Sequence, residues 1–591
     1  MAGSRNKKEL QRTVGTSALF ATAYGNVGSS IYYALGVVAV YALGLTPVVF
    51  IIAGFLFALT ALTYAEGSAM FPESGGSSNF ARHAFNEFAS FFAGWALSLD
   101  YIITIAISAF FVPHYLGVFW EPLRSNPWDI IGGIALIVVL CAINVHGVKE
   151  SAALNVFLAF ADLITQVLLI ILGFVLIFNP GILISNVDLG VAPTWGNFIY
   201  GITIATIAYT GIETISNLAE ESKDPGRECP KAAKGIIGAV LTVYLGITVV
   251  AMMAMPVYQA ANGDYTTQLA TEYSQDPVLG IVANLPIGFL ITPLRIYVGI
   301  LAATILIIAT NAGIIGISRL SYSLSSHRLL PSIIGRLHPR FQTPFVSIAG
   351  FGVIAAVLLI PGATSFLADM YAFGAMLSFT MAHVSIVALR WRRPELERPF
   401  KVPLTLRLRG REVPLLTVLG ALGTFIAWVV VIIDHPEARI VGPAWMVVGV
   451  TGYVLYRRRQ GISLTETVKE EPGLPEGIPE VQYANVLVPV TGSPISEEMV
   501  ATAAKLAPKE EDEEDGIIHA LYVVEVPRNR PVKAITPQQR EQAQAALDEA
   551  HQIGEESGIE VEGYFIGARD AGRAIVDEAT RLGVEVIILG A

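Results

Sequence analysis

Cysteine is nearly absent from this 591-residue chain, which has only Cys141 and Cys229. Two thiols cannot build a disulfide framework or a cysteine zinc site, so no metal is expected to organise the fold. Charge is scarce too: 15% of residues are charged and 53% are hydrophobic, against about 25% charged in ordinary soluble domains. That composition excludes a single soluble enzyme and a disordered chain. No GxxxxGKS/T phosphate loop is present, which argues against a self-contained ATP-driven pump. A net charge of −11 argues against nucleic acid as a partner.

The charge that is present divides the chain. Residues 1–459 hold 28 Lys and Arg against 24 Asp and Glu, whereas residues 460–591 hold 10 against 25. The body is apolar and slightly basic; the tail is acidic and water-soluble. The expected domains are a membrane body at 1–459, a linker at 460–482 rich in Glu, Pro and Gly, and a soluble domain at 483–591.

A membrane-spanning helix needs roughly 20 apolar residues. Twelve such runs lie near 14–43, 47–71, 88–119, 128–147, 152–178, 194–219, 234–257, 291–318, 344–361, 366–389, 413–433 and 439–456. The expected fold is a polytopic α-helical membrane protein with twelve spans, embedded in a lipid bilayer. Arg5, Lys7, Lys8 and Arg12 precede the first run, which continues past the length of a signal-peptide core, so it reads as a retained span. Even-numbered loops carry Arg82, Lys149, Lys223, Arg227, Lys231, Arg328, Arg336, Arg340 and the cluster from Arg390 to Arg411. The opposite side has Arg124, Arg295 and Arg439, and the segment from Val257 to Leu294 has no basic residue. Basic loops stay inside. The N-terminus and the acidic tail are therefore expected in the cytoplasm, on a cell-membrane protein.

Four acids fall inside apolar runs: Glu66, Asp100, Asp162 and Glu213. Such residues are costly in a bilayer and mark pathways by default. Each also has a plain structural reading, as a tie between helices. Two runs carry backbone-breaking residues at mid-membrane depth. Run 1 has Gly25, Gly28, Ser29 and Ser30 in AYGNVGSSIYYALG, and run 6 has IAYTGIE with Gly211. A break is tolerated in a bilayer only where protein or a cavity surrounds it. Runs 1 and 6 are also the first members of two successive sets of five, the arrangement that an inverted five-plus-five repeat requires.

These strings resemble the amino acid–polyamine–organocation superfamily of secondary transporters over about the first 455 residues. The resemblance rests on GSSIY from Gly28, YAEGSAMFPESGGSSNFARHAF from Tyr64 and AYTGIETISNLAEESKDPGRECPKA from Ala208. It extends to NAGIIGISRLSYSLSSHRLLP from Asn311 and LRWRRPELERPFKVP from Leu389. It implies that the substrate carboxylate meets the amides of Gly28, Ser29, Ser30 and Ile31, and its amino group the carbonyls of Ala208 and Tyr209. Gly211 then permits the break, Tyr209 is a lid or side-chain contact, and Glu213 is a proton carrier.

One departure concerns ion coupling. Where many proton-coupled relatives carry a lysine in span 5, the string KESAALN places Asp162 at or beside that position. Together with Ser318 in span 8 it would form a cation pocket, leaving Na⁺ and H⁺ coupling both open. The segment YGNVGSS also resembles YGDIGTS of potassium-uptake permeases, with Asn26 replacing the aspartate. Substrates considered are an amino acid or related amine, an inorganic cation, or none, for a nutrient sensor signalling through the tail.

In the tail, strand-like ANVLVPV at 484–490, IIHALYVVEV from Ile517, VEGYFIG from Val561 and VEVIILGA alternate with helical stretches. The order β-α-β-α-β-α-β implies a doubly wound parallel sheet. VLVPVTGS and ARDAGRAIVDEATRLGVEVIILGA resemble the universal stress protein family. Thr491 stands where that family's nucleotide-binding members have an acid, and their phosphate loop would follow Ala591. ATP is therefore not an expected ligand of this domain, and no cofactor is expected. A regulatory or protein-contact role is the reading for the tail. Neither a nucleophile–base pair nor a metal-ligand spacing stands out in the soluble part, so an enzyme is not expected.

Overall fold

The computed structural model describes residues 14–147, 152–185, 187–408, 411–468, 483, 485–491, 494–506, 516–527, 530–532, 534–557 and 559–589. Lys149, the basic start before Val14 and the acidic run 509–515 lie outside these residues. The chain forms two compact units, Met1–Glu471 and Pro472–Ala591.

Among the described residues of the first unit, ten stretches are long and apolar enough to cross a membrane. The first, Thr16–Met70, contains the helices of runs 1 and 2, and run 9 is a shorter apolar helix, Phe345–Leu359. Ten are thus established by length and composition, and twelve remains our reading of the sequence. We keep the run numbers as span labels. Span 1 is Thr16–Gly28 followed by Ile31–Ala42, span 2 is Thr46–Met70, and span 3 is Glu87–Leu116. Spans 4 and 5 are Trp128–Val145 and Ala152–Leu176. Span 6 is Trp195–Ala205 resumed at Thr214–Leu218, and span 7 is Pro225–Ala254. Spans 8 to 12 are Ile291–Ser326, Phe345–Leu359, Thr364–Arg392, Leu415–Asp434 and Pro436–Arg459.

Span 7 begins well before its apolar run. Asp224 caps it by accepting the Arg227 N–H, and Pro225 occupies the first turn, where its missing donor costs nothing. Its polar first turns are helical but invisible to hydropathy.

Span 3 is the central column, with 94% of its apolar window buried, against 22% for span 4 and 33% for span 5. The peripheral spans turn Val138, Val139, Phe157, Ile164 and Val175 outward, which suits lipid rather than water. Spans five apart pack on each other: 1 on 6, 2 on 7, 3 on 8 and 4 on 9. An odd shift of five reverses span direction, so these contacts suit a two-fold axis in the membrane plane.

Glu66 settles as a tie between helices, through a partner that sequence did not suggest. Arg390 of span 10 forks onto it, Nε to Oε1 at 2.9 Å and Nη2 to Oε2 at 2.5 Å, and the Val402 N–H donates to Oε2 at 2.7 Å. Both side chains are buried. Removing one partner strands a buried charge, so Glu66→Ala is expected to cost about 3–5 kcal/mol. A thermal-unfolding midpoint within a degree of the parent would contradict this.

The second unit carries a four-stranded parallel sheet of Asn485–Pro489, Ile517–Glu525, Glu560–Ala568 and Val586–Ile587. The first strand lies between the second and the fourth, and the third flanks the second. Strand side chains alternate between faces. Val486, Val488 and Val490 join one core with Val500 and Leu547, while Leu487 and Leu521 join another with Ala579. Helices Pro494–Leu506 and Pro537–Ser557 thus serve one face and Ala571–Leu582 the other, giving the expected doubly wound arrangement. The Thr491 N–H donates to Ser496 Oγ at 2.9 Å.

Candidate functional site

Span 6 is broken in the middle. After Ala205 the chain tightens into a 3₁₀ turn at Thr206–Tyr209, Thr210 is extended at φ −76° and ψ 162°, and Gly211 has φ +105°. Only glycine adopts that conformation readily. Helix resumes at Thr214. Span 1 is interrupted more gently. Ser29 and Ser30 keep right-handed backbone angles, the Ser30 N–H donates to Val27 O at 3.1 Å, and helix resumes at Ile31. The amide of Ser30 is thus used within its own turn.

The two interruptions face each other. Asn26 of span 1 donates from Nδ2 to Thr214 Oγ1 at 2.9 Å, and a Cβ on Gly211 would stand 2.9 Å from Asn26 Cγ. Asn26, singled out above for the aspartate it replaces, is the cross-link between the broken spans. Tyr244 of span 7 was not anticipated. Its hydroxyl stands between two break carbonyls, 2.5 Å from Val27 O and 2.9 Å from Ala208 O. One hydroxyl hydrogen can serve either carbonyl. A lone tyrosine in an apolar run looks like packing; only the fold brings it onto both breaks.

Tyr209 is buried with its ring 5.3 Å from that of Phe57, and its hydroxyl donates to Phe50 O of span 2 at 2.7 Å. Its side chain is thus an anchor to span 2. Ser29 Oγ donates to Asn26 O at 2.8 Å, and Ser30 Oγ is 2.7 Å from Tyr33 Oη. Tyr371 of span 10 gathers the opposite wall. Its Oη is hydrogen-bonded to Thr104 Oγ1 of span 3, at 2.7 Å, and to Thr210 Oγ1 of the span 6 break.

The buried acids flank this centre. Asp162 of span 5 is fully buried and faces span 1, accepting the Tyr32 hydroxyl at 2.5 Å and the Tyr24 hydroxyl at 3.2 Å. These tyrosines lie on the two halves of the interrupted helix, so one carboxylate grips both. Glu213 curls back on the break, accepting the Gly211 N–H at 3.1 Å. Ser318 is elsewhere engaged: its hydroxyl donates to Ile315 O of its own span at 2.8 Å. The structure joins Asp162 to span 1, without a hydrogen bond to Ser318.

Spans 1 and 6 are tied down on either side of their interruptions. At one end, the Val14 N–H donates to Glu221 O and the Lys223 N–H to Val14 O. Arg319 of span 8 pairs with Glu221 at 2.9 Å. On the other side of the breaks, Tyr115 donates to Tyr32 O just after the span 1 interruption, at 2.7 Å, and Tyr200 in the first half of span 6 donates to Asp369 Oδ1 at 2.9 Å. His435 stacks on Tyr200 with ring centroids 3.7 Å apart.

Comparison with known proteins agrees with this arrangement. A family model described as amino acid permease matches residues 14–456, and one described as universal stress protein family matches residues 482–591. The methylthioribose transporter of Bacillus subtilis is 26% identical over 486 residues, 78% of this chain and 97% of its own length. The branched-chain amino acid permease BcaP of the same organism is 27% identical, over 78% of this chain and 96% of its own. The vacuolar cationic amino acid transporter 4 of Arabidopsis thaliana is 26% identical, over 66% of this chain and 64% of its own. Broken span, facing interruption and flanking acids thus sit in a chain that belongs to the amino acid permease family, and so is a transporter and no enzyme, with a universal stress protein domain at 482–591.

Proposed function

We propose that this transporter is an ion-coupled permease of the cell membrane that moves an amino acid or related amine by alternating access. The observation that carries the reading is the pair of facing interruptions, where carbonyls of Val27 and Ala208 converge on one hydroxyl. Backbone freed from helical bonding offers carbonyls to an ammonium and amides to a carboxylate. In this reading Gly28, Ser29, Ser30 and Ile31 receive the substrate carboxylate, and Ala208, Tyr209 and Gly211 shape the amino side. The substrate amine displaces the Tyr244 hydroxyl from the carbonyls it bridges. Asp162 and Glu213 carry the coupling ion, with Ser318 as a further ligand in another conformation.

The ties on either side of the breaks in spans 1 and 6 support alternating access. Releasing the Arg319–Glu221 side while the Tyr200–Asp369 side holds, and the reverse, exposes the centre to one face at a time. The basic loops support a cytoplasmic N-terminus and a cytoplasmic stress-protein domain. Amino acids recur in the names of the relatives, as branched-chain and as cationic amino acids, which supports an amino acid or related amine as the substrate. The family match favours neither an inorganic-cation permease nor a sensor.

The test is an uptake screen in proteoliposomes across amino acids, polyamines and potassium. Saturable uptake of at least one amine, competed by its analogues, is the expected result. Uptake of potassium alone would defeat the reading.

A further inference from the structure

One fully buried acid has no use in the site described so far. Asp100 lies in span 3, the most enclosed helix of the protein, and neither carboxylate oxygen has a hydrogen-bond partner. Asp162 and Glu213, by contrast, each accept at least one donor. An ionised carboxylate buried without a donor is strongly disfavoured unless something supplies positive charge.

The place of Asp100 says where that charge would come from. Thr104, one turn along span 3, bonds the Asp100 carbonyl at 2.9 Å and reaches Tyr371 Oη at 2.7 Å. Tyr371 in turn bonds Thr210 in the span 6 break. Asp100 is therefore one helical turn, about 5.4 Å along the axis, from a residue wired to the break. Glu213 lies within electrostatic reach of it, as do the hydroxyls of Tyr33, Tyr64 and Tyr371.

Three buried or half-buried bases of the membrane unit already have acidic partners: Arg390 has Glu66, Arg319 has Glu221 and Arg82 has Glu87. Among the described residues none pairs with Asp100. Two buried acids with no base paired to Asp100 among the described residues make an environment that favours a cation able to donate hydrogen bonds.

We infer that Asp100 is a specificity residue: a subsite for a second, distal ammonium or guanidinium on the substrate. A substrate held at the breaks by its α-amino group and carboxylate extends its side chain along the Thr210–Tyr371–Thr104 wall towards Asp100. Its cationic end completes the unpartnered carboxylate. A neutral side chain there leaves that carboxylate buried without a donor, so the site discriminates against it. This rests on the permease reading above and adds the substrate's second charge to it.

The experiment uses the full chain in proteoliposomes, with competition of uptake by lysine, putrescine and leucine, and ligand-induced thermal stabilisation as a second readout. For the parent, lysine is expected to compete at least about tenfold better than leucine. In Asp100→Asn that ratio collapses towards one, and in Asp100→Glu, which keeps the charge, it is retained. A cooperative thermal transition stabilised by leucine verifies that the Asn variant is folded, and the loss of stabilisation by lysine tests its binding apart from transport.

A parent that takes up leucine but not lysine overturns the subsite and leaves the permease reading standing. Equal losses for lysine and leucine in Asp100→Asn overturn it as well. So does a variant whose selectivity is intact and whose pH dependence alone changes, because Asp100 then holds a proton. If the parent neither takes up nor binds any amine, the permease reading fails and this inference with it.

Discussion

Replacing Gly211 by alanine is expected to lower the initial uptake rate roughly a hundredfold at unchanged membrane insertion. Two costs add at this position. An L-residue at φ +105° is strained by about 1–3 kcal/mol. The new Cβ would stand 2.9 Å from Asn26 Cγ and Nδ2 and 3.1 Å from Val27 N. Overpacking of that kind costs about 1–3 kcal/mol more. The neighbours cannot retreat cheaply, since Val27 N is backbone and Asn26 is held by Thr214. The relief open to the chain is to reshape the break, which removes the facing interruptions on which binding rests. A combined cost of about 3 kcal/mol corresponds to roughly a hundredfold. Gly25 is the control, because a Cβ there meets only Ala159 Cβ at 4.0 Å. Uptake by Gly211→Ala within twofold of the parent would mean that the break plays no part in transport.

Neutralising the flanking acids has the second large effect, and it falls on coupling. Glu213→Gln and Asp162→Asn are each expected to cut gradient-driven accumulation at least about tenfold. Exchange of labelled for unlabelled substrate across membranes without an ion gradient is expected to suffer less. The two substitutions differ structurally. Glutamine at 213 keeps an oxygen for the Gly211 N–H, so the break retains its cap. Asparagine at 162 sets an NH₂ group against one of the two tyrosine hydroxyls that now donate. An unmatched buried donor costs about 1–3 kcal/mol, so Asp162→Asn should also lower thermal stability. Accumulation at parental levels by both variants would remove Asp162 and Glu213 from the coupling machinery.

The sequence disclosed most where chemistry conflicts with its surroundings. Gly211 and the Gly28–Ser30 string stood out because they interrupt runs that should be unbroken helix. The acids stood out because a bilayer penalises them. What those acids touch was not legible. Glu66 and Arg390 are 324 positions apart, and nothing local marks the arginine of a basic loop as the partner of a membrane glutamate. Tyr244 was hidden for the opposite reason, since an isolated tyrosine in an apolar helix conflicts with nothing. The gentleness of the span 1 interruption was hidden too. Serine accepts right-handed angles as readily as unwound ones, and here Ser29 and Ser30 bond back to Asn26 O and Val27 O within their own turn. In the tail, alternation gave strands and helices in order, because each strand covers both faces with apolar side chains.

The most direct test of the account imposes one gradient at a time on proteoliposomes holding the intact chain and a transported amine. Inward proton and sodium gradients are compared with equilibrated membranes. The account predicts accumulation above equilibrium with at least one gradient, collapse on its dissipation, and loss of that response in Glu213→Gln or Asp162→Asn. Uptake that reaches the same equilibrium level whatever gradient is imposed would contradict it.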